Sequence, residues 1–344
     1  MSIRGGACWS NTYSKQYGQD RWKRLLNALA EVPTQLAFVA PNISHSALRY
    51  LLRKPRFVPC LIPNCFSFED PSSNSNDKKD EGGENATLAV SDSGGQVAGD
   101  QNMNGNVTIV EDEHIAEEAR AKTYFLDGAS ALAAYVLGAR PGEVVLDMCA
   151  APGGKSLIIL SMLTQANVPP YIIGNHSMLS EINIADNDEE TEGLLVCNDI
   201  SRDRLARLQN TLNKFLPPYS TAGQRLQLSC ADICKGGAFE RFAPYDRILL
   251  DAPCSSDRHL LHKGGSALVN WSQSTPKAHA ERQLKMLLIA SKLLKKDGIL
   301  LYSTCALSDI ENDAVGTRHE QQCAWAVIYC PVLRSLKLKE KLHP

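Results

Sequence analysis

The sequence predicts an α/β fold, doubly wound around a mostly parallel sheet, and three observations carry that expectation. Short apolar runs alternate with segments of helical periodicity from Val144 to Tyr302. Several of these runs end on a carboxylate or are followed by a thiol, where open α/β sheets place ligand-binding groups. Between the first run and the helix after it lies a turn of small residues, Ala150-Ala-Pro-Gly-Gly-Lys-Ser156, whose Gly153 and Gly154 allow the backbone to approach a bound molecule.

Taken in order, residues 1–68 read as a helical N-terminal extension. Arg21–Ala30 has apolar positions at helical spacing and a basic face, Ser44–Arg53 reads as a second helix, and Pro55, Pro59, Pro63 and Pro71 mark an irregular connection. Residues 69–112 are rich in Asn, Ser, Gly and Asp and poor in aromatics, the composition of a disordered acidic insertion. The main domain is expected over 113–315. It opens with a helix over Tyr124–Gly138, capped by Asp127 and closed by Gly138. Strand Val144–Asp147, the Gly turn and helix Leu157–Leu163 follow, and then a surface loop insertion over 164–193 with Pro169, Pro170 and a second acidic run. The alternation resumes with strand Leu194–Asp199, helix Arg202–Phe215, strands Arg225–Cys230 and Asp246–Asp251, helix Lys277–Leu294 and strand Ile299–Tyr302.

The net charge of −2 over 344 residues conceals a segregation. Twelve acids and two Lys lie between Asp70 and Glu118, and six acids without a base lie between Glu181 and Glu192, which leaves 34 bases against 20 acids elsewhere. A basic body suits a binder of phosphate backbones, the alternative being an ordinary solvated surface with acidic loops. No apolar run reaches the roughly 18 residues of a membrane span, so a soluble chain is expected. Eleven Cys without a Cys-x-x-Cys pair argue for reduced thiols and no metal site. Arg4, Lys15, Arg21, Lys23 and Arg24 give the N-terminus a weak likeness to a transit peptide.

The Gly turn is not a phosphate loop. A P-loop requires Gly where Cys149 stands, and the Gly-x-Gly-x-x-Gly dinucleotide pattern is absent. A strand, an acid and a Gly turn without a phosphate cradle suit a nucleoside of low negative charge, such as S-adenosylmethionine. Asp199, ending the second strand, is placed to accept ribose hydroxyls. Its separation from the turn exceeds the usual ~20 residues because of the inserted loop. Asp232 is placed either to accept the adenine amine or to cap a turn.

The fourth strand leads into Asp251-Ala-Pro-Cys254, similar to the Asp-Pro-Pro-Tyr signature of amino-directed adenine methyltransferases. A thiol replaces the stacking ring, which makes adenine an unsuitable base. Cys305 follows the fifth strand at the same edge. Buried inert thiols are the ordinary alternative for any single Cys. Two thiols beside an acid point to covalent catalysis on a pyrimidine, because carbon 5 of cytosine becomes nucleophilic only after a thiolate adds to carbon 6. A carboxyl kept protonated by burial would assist at ring nitrogen 3.

The stretches Asp147–Ser156, Asp251–Ser256 and Tyr302–Cys305, with Glu311-Asn312 beyond, closely resemble the Sun-domain family of RNA cytosine-5 methyltransferases, over about Lys122 to Val315. The resemblance implies the Rossmann-like sheet of class I methyltransferases and S-adenosylmethionine as cofactor. It implies Gly153, Gly154, Lys155 and Ser156 at the cofactor turn, Asp199 on the ribose with Arg204 nearby, Asp232 at the adenine, and Asp251 shared between cofactor site and cytosine. Cys305 is the implied nucleophile, and Cys254 assists product release.

Tyr13-Ser-Lys-Gln-Tyr-Gly, Phe125-Leu-Asp and Asp257-Arg-His-Leu-Leu-His look most like the member acting on mitochondrial small-subunit ribosomal RNA, a mitochondrial transfer RNA enzyme being its nearest relative. That likeness implies a mitochondrial matrix location, RNA as substrate and an mTERF-type helical-repeat protein as partner. A non-catalytic RNA-binding or ribosome-assembly factor is the alternative. The tail over 316–344 departs from the family, and with it an uncovered sheet edge is expected.

Overall fold

The computed structural model describes residues 6–31, 33–54, 57–67, 105–164, 193–216, 226–322 and 328–331, with backbone alone for 105–112 and 328–331. In chain order the elements are α1 (Ala7–Tyr17), α2 (Gln19–Ala30), β1 (Gln35–Val39), α3 (His45–Leu52), β2 (Val58–Pro59), β3 (Cys65–Ser67), α4 (Gly105–Ala121), β4 (Thr123–Asp127) and α5 (Gly128–Leu137). There follow β5 (Val144–Asp147), α6 (Gly154–Leu163), β6 (Leu194–Asn198), α7 (Arg202–Phe215), β7 (Leu226–Ser229), two 3-10 turns (Ile233–Lys235 and Ala238–Phe242) and β8 (Tyr245–Asp251). The last of the described elements are α8 (Asp257–Lys263), α9 (Gly265–Val269), α10 (Ser274–Leu293), β9 (Leu294–Thr304), α11 (Asp313–Glu320) and β10 (Ile328–Pro331).

The predicted doubly wound sheet is present. Six strands pair in the order β10-β9-β8-β5-β6-β7, every pair parallel. Its central strands are covered on both faces, which is why Val-Val-Leu and Ile-Leu-Leu read as unbroken apolar runs. Ala131, Ala134 and Leu137 of α5, Leu157–Leu160 of α6 and Leu208 and Leu212 of α7 pack on one face. Leu284, Leu287 and Ala290 of α10 pack with Phe239 and Tyr245 on the other. The chain runs outward from β5 to β7, then returns to β8 and runs the other way, so the switch in strand order falls between β5 and β8. A ligand crevice is expected at the carboxyl ends of those two strands.

The N-terminal extension is not solely helical: β1, β2 and β3 join β4 in an antiparallel sheet of order β2-β3-β1-β4. Thr123–Leu126 is strand rather than helix, because its β-branched and aromatic residues pair with Leu36–Val39. Asp127 does cap α5, accepting from Ala129 N and Ser130 N, and Gly138 ends it at φ +66°. Pro59 sits in β2, an edge strand, where its missing N–H costs no ladder bond. Helix α4 begins at Gly105, inside the stretch expected to be disordered, while 68–104 and the loop over 165–192 lie outside the described residues.

The sheet edge expected to be bare is paired. Strand β10 lies parallel to β9 from Ile328 opposite Leu301 to Pro331 opposite Thr304. Helix α11 carries the chain through Gly316, its His319 buried and bonded at 2.6 Å to Ser291 Oγ of α10. Among the described residues no helix is long and apolar enough to cross a membrane.

Arg247 of β8 locks the bottom of the sheet. Its guanidinium is buried, donates to Leu137 O at the end of α5 (2.7 Å), and grips Glu143 with Nε and Nη2 at 2.6 and 2.9 Å. A two-pronged grip on a mostly buried carboxylate is strong, and removing one partner leaves the other unpaired. Arg247→Met is therefore expected to destabilise the fold by about 3 kcal/mol in urea denaturation.

Candidate active site

Each parallel strand delivers a side chain to one edge. At the end of β5, Asp147 is buried, and Ser156 Oγ donates to its Oδ2 at 2.7 Å while its Oδ1 makes no hydrogen bond. Burial pushes this carboxyl up to about 7 against the Ser156 bond, and nearby Asp251 adds to the rise. At the end of β6, Asn198 ties the loops after β5 and β7 together, donating to Met148 O and Ala231 O and accepting from Ala231 N. Asp199 follows, 2% exposed, with Oδ1 accepting from Ser201 N at 3.0 Å. Its Oδ2 makes no hydrogen bond, although Arg204 Nη2 stands 3.3 Å away as an ion-pair partner and also donates to Ala151 O at 2.7 Å.

Two acceptor oxygens, buried at neighbouring strand ends without a hydrogen bond inside the chain, fit the hydroxyl and amine donors of a nucleoside such as S-adenosylmethionine. Other expected contributors do different work. Ser156 is fully buried and spent on Asp147. Gly153 takes φ +113°, and a Cβ there would come within 2.9 Å of Leu208 of α7; one at Gly154 would come within 3.2 Å of the Tyr124 ring. The two glycines thus let α7 and β4 close on the turn. Asp232 Oδ1 caps the first 3-10 turn by accepting from Cys234 N and lies 3.6 Å from Arg282.

Lys155, expected at the cofactor turn, instead crosses to the end of β8. Its Nζ is 2.7 Å from Asp251 Oδ2 and donates to Ser130 Oγ at 3.0 Å. Burial works against the Lys155 charge, but Asp251 outweighs it and holds the ammonium above its ordinary value. Ser303 Oγ of β9 donates to the other oxygen, Asp251 Oδ1, at 2.8 Å. Asp251 is one-third exposed and paired to the Lys155 ammonium. Burial raises the carboxyls of Asp147, at the end of β5, and of Glu311, beyond Cys305.

The two thiols meet. Cys254 Sγ and Cys305 Sγ are 3.2 Å apart, with Ser256 Oγ 3.7 and 3.5 Å from them respectively. Cys305 is exposed and Cys254 partly covered. The hydrogen bond from Cys254 pulls the Cys305 thiol down, to about 7; Ser256 and Lys155 assist, while desolvation by the surrounding loops and the Asp251 charge oppose. Cys254 moves the opposite way, raised by the same contact and by burial. Cys149 and Cys197, deeper in the fold, are also pushed up by burial. The contact between Cys254 and Cys305 thus separates two like groups, one thiol lowered and its neighbour raised.

The loops bearing the thiols are held by residues to which the sequence reading gave no role. Glu311 is buried and accepts from Ser255 N and Gln283 Nε2, both at 3.0 Å, and Gln283 also donates to Pro253 O. Asn312 donates to Ala306 O and Ser308 O beyond Cys305. Glu311-Asn312 carried a motif signal, whereas Gln283 on α10 had none. Ser256 lies at φ +52°, a left-handed conformation costing a side-chain-bearing residue about 1–2 kcal/mol, which sets its hydroxyl beside both sulfurs.

Residues 182–331 match the family model for 16S rRNA methyltransferase RsmB/F. The bovine 5-cytosine rRNA methyltransferase NSUN4 is 34% identical over 198 residues, covering 56% of this chain and 43% of the relative. The resemblance to the Sun-domain family is thereby borne out. The mouse mitochondrial tRNA (cytosine(34)-C(5))-methyltransferase is also 34% identical, over 195 residues, 56% of this chain and 47% of the relative. The chain thus spans less than half the length of either curated relative. The fold is shared with NSun6 from Pyrococcus horikoshii, solved with SFG, at TM-score 0.58 and 16% identity, covering 92% of this chain and 87% of that one.

The thiol contact makes a direct prediction. Alkylation of Cys305 by iodoacetamide, followed by peptide mass spectrometry across pH, is expected to rise through a midpoint near 7. Cys254→Ala removes the largest cause of the lowered value, so the midpoint should move up toward that of an ordinary thiol, ~8.5.

Proposed function

We propose that this chain catalyses S-adenosylmethionine-dependent methylation of carbon 5 of cytosine in RNA through a covalent adduct at carbon 6. The observation that carries the reading is the pair of unlike thiols, 3.2 Å apart, beside the Lys155–Asp251 pair at the switch point of the sheet. When bound, S-adenosylmethionine supplies an electrophilic methyl group. Asp199, assisted by Arg204, would take the ribose hydroxyls, and Asp232 would meet the adenine through whatever capacity its capping bond leaves free.

The Cys305 thiolate forms the sulfur–carbon 6 bond, and its electron pair makes carbon 5 the nucleophile. Lys155 and Asp251 hold the ring's polar edge. After carbon 5 has gained the methyl group, a base must take its proton so that the electron pair can return and expel the Cys305 sulfur. Cys254 is suited to that second step. Once the Cys305 sulfur is bound to carbon, its negative charge no longer opposes ionisation of Cys254. A thiol that is protonated during attack thus becomes an available base during release.

The basic body of the sequence and relatives named for RNA cytosines support RNA as substrate. Mitochondrial small-subunit ribosomal RNA is the preferred target, with a mitochondrial location and an mTERF-type partner as parts of the same reading; transfer RNA is the alternative. Bisulfite sequencing of mitochondrial RNAs after depletion separates the two targets.

In a tritiated methyl-transfer assay, Cys305→Ala is expected to lose turnover by at least about 10³-fold. Retained turnover would mean that the nucleophile lies elsewhere. Cys254→Ala should accumulate a protein–RNA adduct that survives denaturing electrophoresis, since attack persists while release fails. Asp199→Asn should weaken S-adenosylmethionine binding about tenfold by calorimetry, having lost charged acceptance of the ribose hydroxyls.

A further inference from the structure

Asp257 begins α8, three residues beyond Cys254, and is fully buried. Four donors converge on its carboxylate. Oδ1 accepts from Trp9 Nε1 at 2.8 Å and from the Tyr13 hydroxyl at 2.9 Å, both on α1. Oδ2 accepts from Ser255 Oγ at 2.9 Å and from Leu307 N at 2.7 Å. Ser255 is the neighbour of Cys254, and Leu307 lies two residues past Cys305. Helix α1 takes hold of the second loop again, because Gln16 Nε2 (3.0 Å) and the Tyr17 hydroxyl both donate to Leu307 O.

A buried carboxylate left without donors is costly, so each of these charge-assisted bonds resists displacement. With two donors on each oxygen, the position of Asp257 fixes both thiol loops relative to one body. That body is rigid in turn: Trp9 packs edge-to-face on Tyr13 and Trp22, in a cluster that buries Trp271 and Leu307. We infer that Asp257 is a positioning residue that sets the spacing of the Cys254 and Cys305 sulfurs, and that through Trp9 and Tyr13 it makes α1 a working part of the catalytic centre.

The inference rests on the reading of the two sulfurs as the reacting pair, and it is tested on the thiols directly, without methyl transfer. Diamide oxidises two adjacent thiols to a disulfide, its azo group taking up the two electrons and two protons, so the rate of Cys254–Cys305 closure reports their spacing. The full chain is compared with Asp257→Asn, in which amide hydrogens face two of the four donors, and with Tyr13→Phe, which loses one bond and keeps the ring. Asp257→Asn is expected to slow closure about tenfold and to move the alkylation midpoint of Cys305 upward. Tyr13→Phe should do the same about threefold, with an unchanged circular dichroism spectrum.

Closure and alkylation like wild type in both variants would overturn the inference and leave α1 a packing element. If Asp257→Asn does not fold, Tyr13→Phe decides: slower closure supports the inference and unchanged closure defeats it. A wild-type chain that closes rapidly yet transfers no methyl group to RNA would refute the proposed function while leaving this spacing role standing.

Discussion

The register of β8 against β9 is the constraint on which the site depends. Asp251 lies opposite Ser303, and the pairing is reinforced by Ser303 Oγ on Asp251 Oδ1 and by Ala252 N on Ser303 O at 2.9 Å. From that rung, three residues on one strand and two on the other lead to Cys254 and Cys305. A slip of one residue would turn alternate side chains to the opposite face and carry the sulfurs apart. The buried apolar runs of both strands oppose such a slip, since it would exchange the residues on two packed faces. Precision in the site is therefore inherited from the core, and Glu311, Gln283 and Asp257 hold the short loops that leave it.

Electrostatics divides labour among groups that are alike in isolation. Three carboxyls lie at adjacent strand ends. Asp147 is sealed in and raised by burial, Asp199 keeps an open acceptor beside Arg204, and Asp251 is paired with Lys155. The thiols are separated by the same logic, one hydrogen bond lowering the acceptor sulfur and raising the donor. Lys155 connects the two halves, because the turn that follows β5 delivers its ammonium to Asp251 at the end of β8, the strand that leads to Cys254.

The added N-terminal elements are continuous with this arrangement. The antiparallel sheet ends in Asp127, which starts α5, and α5 packs beside α6 and the Gly turn. Helices α1 and α2 bury their aromatic and leucine faces against α9 and Leu307. On the far edge, β10 extends the parallel sheet beyond β9, so residues past Gly316 take part in the fold that bears Cys305.

The sequence by itself determined the winding of the main domain, because apolar runs buried on both faces and helices of 3.6 periodicity are local patterns. Val144–Asp147 and Arg202–Phe215 hold to the residue, as do the caps at Asp127 and Gly138. Both thiols and their acid were legible because each stands just past such a run. The strand at Thr123–Leu126 was not, since its neighbour β1 is some 85 residues away and apolar residues before a cap read equally well as helix. Ser156, Asp232 and Lys155 were legible as members of motifs but not in their contacts: a turn shows which residues cluster, not which way each side chain leaves it. Only the tertiary structure decided that Asp257 gathers donors from residues up to 248 positions away, and that two sulfurs 51 positions apart touch. Those outcomes depend on packing and register between distant segments, which no local pattern encodes.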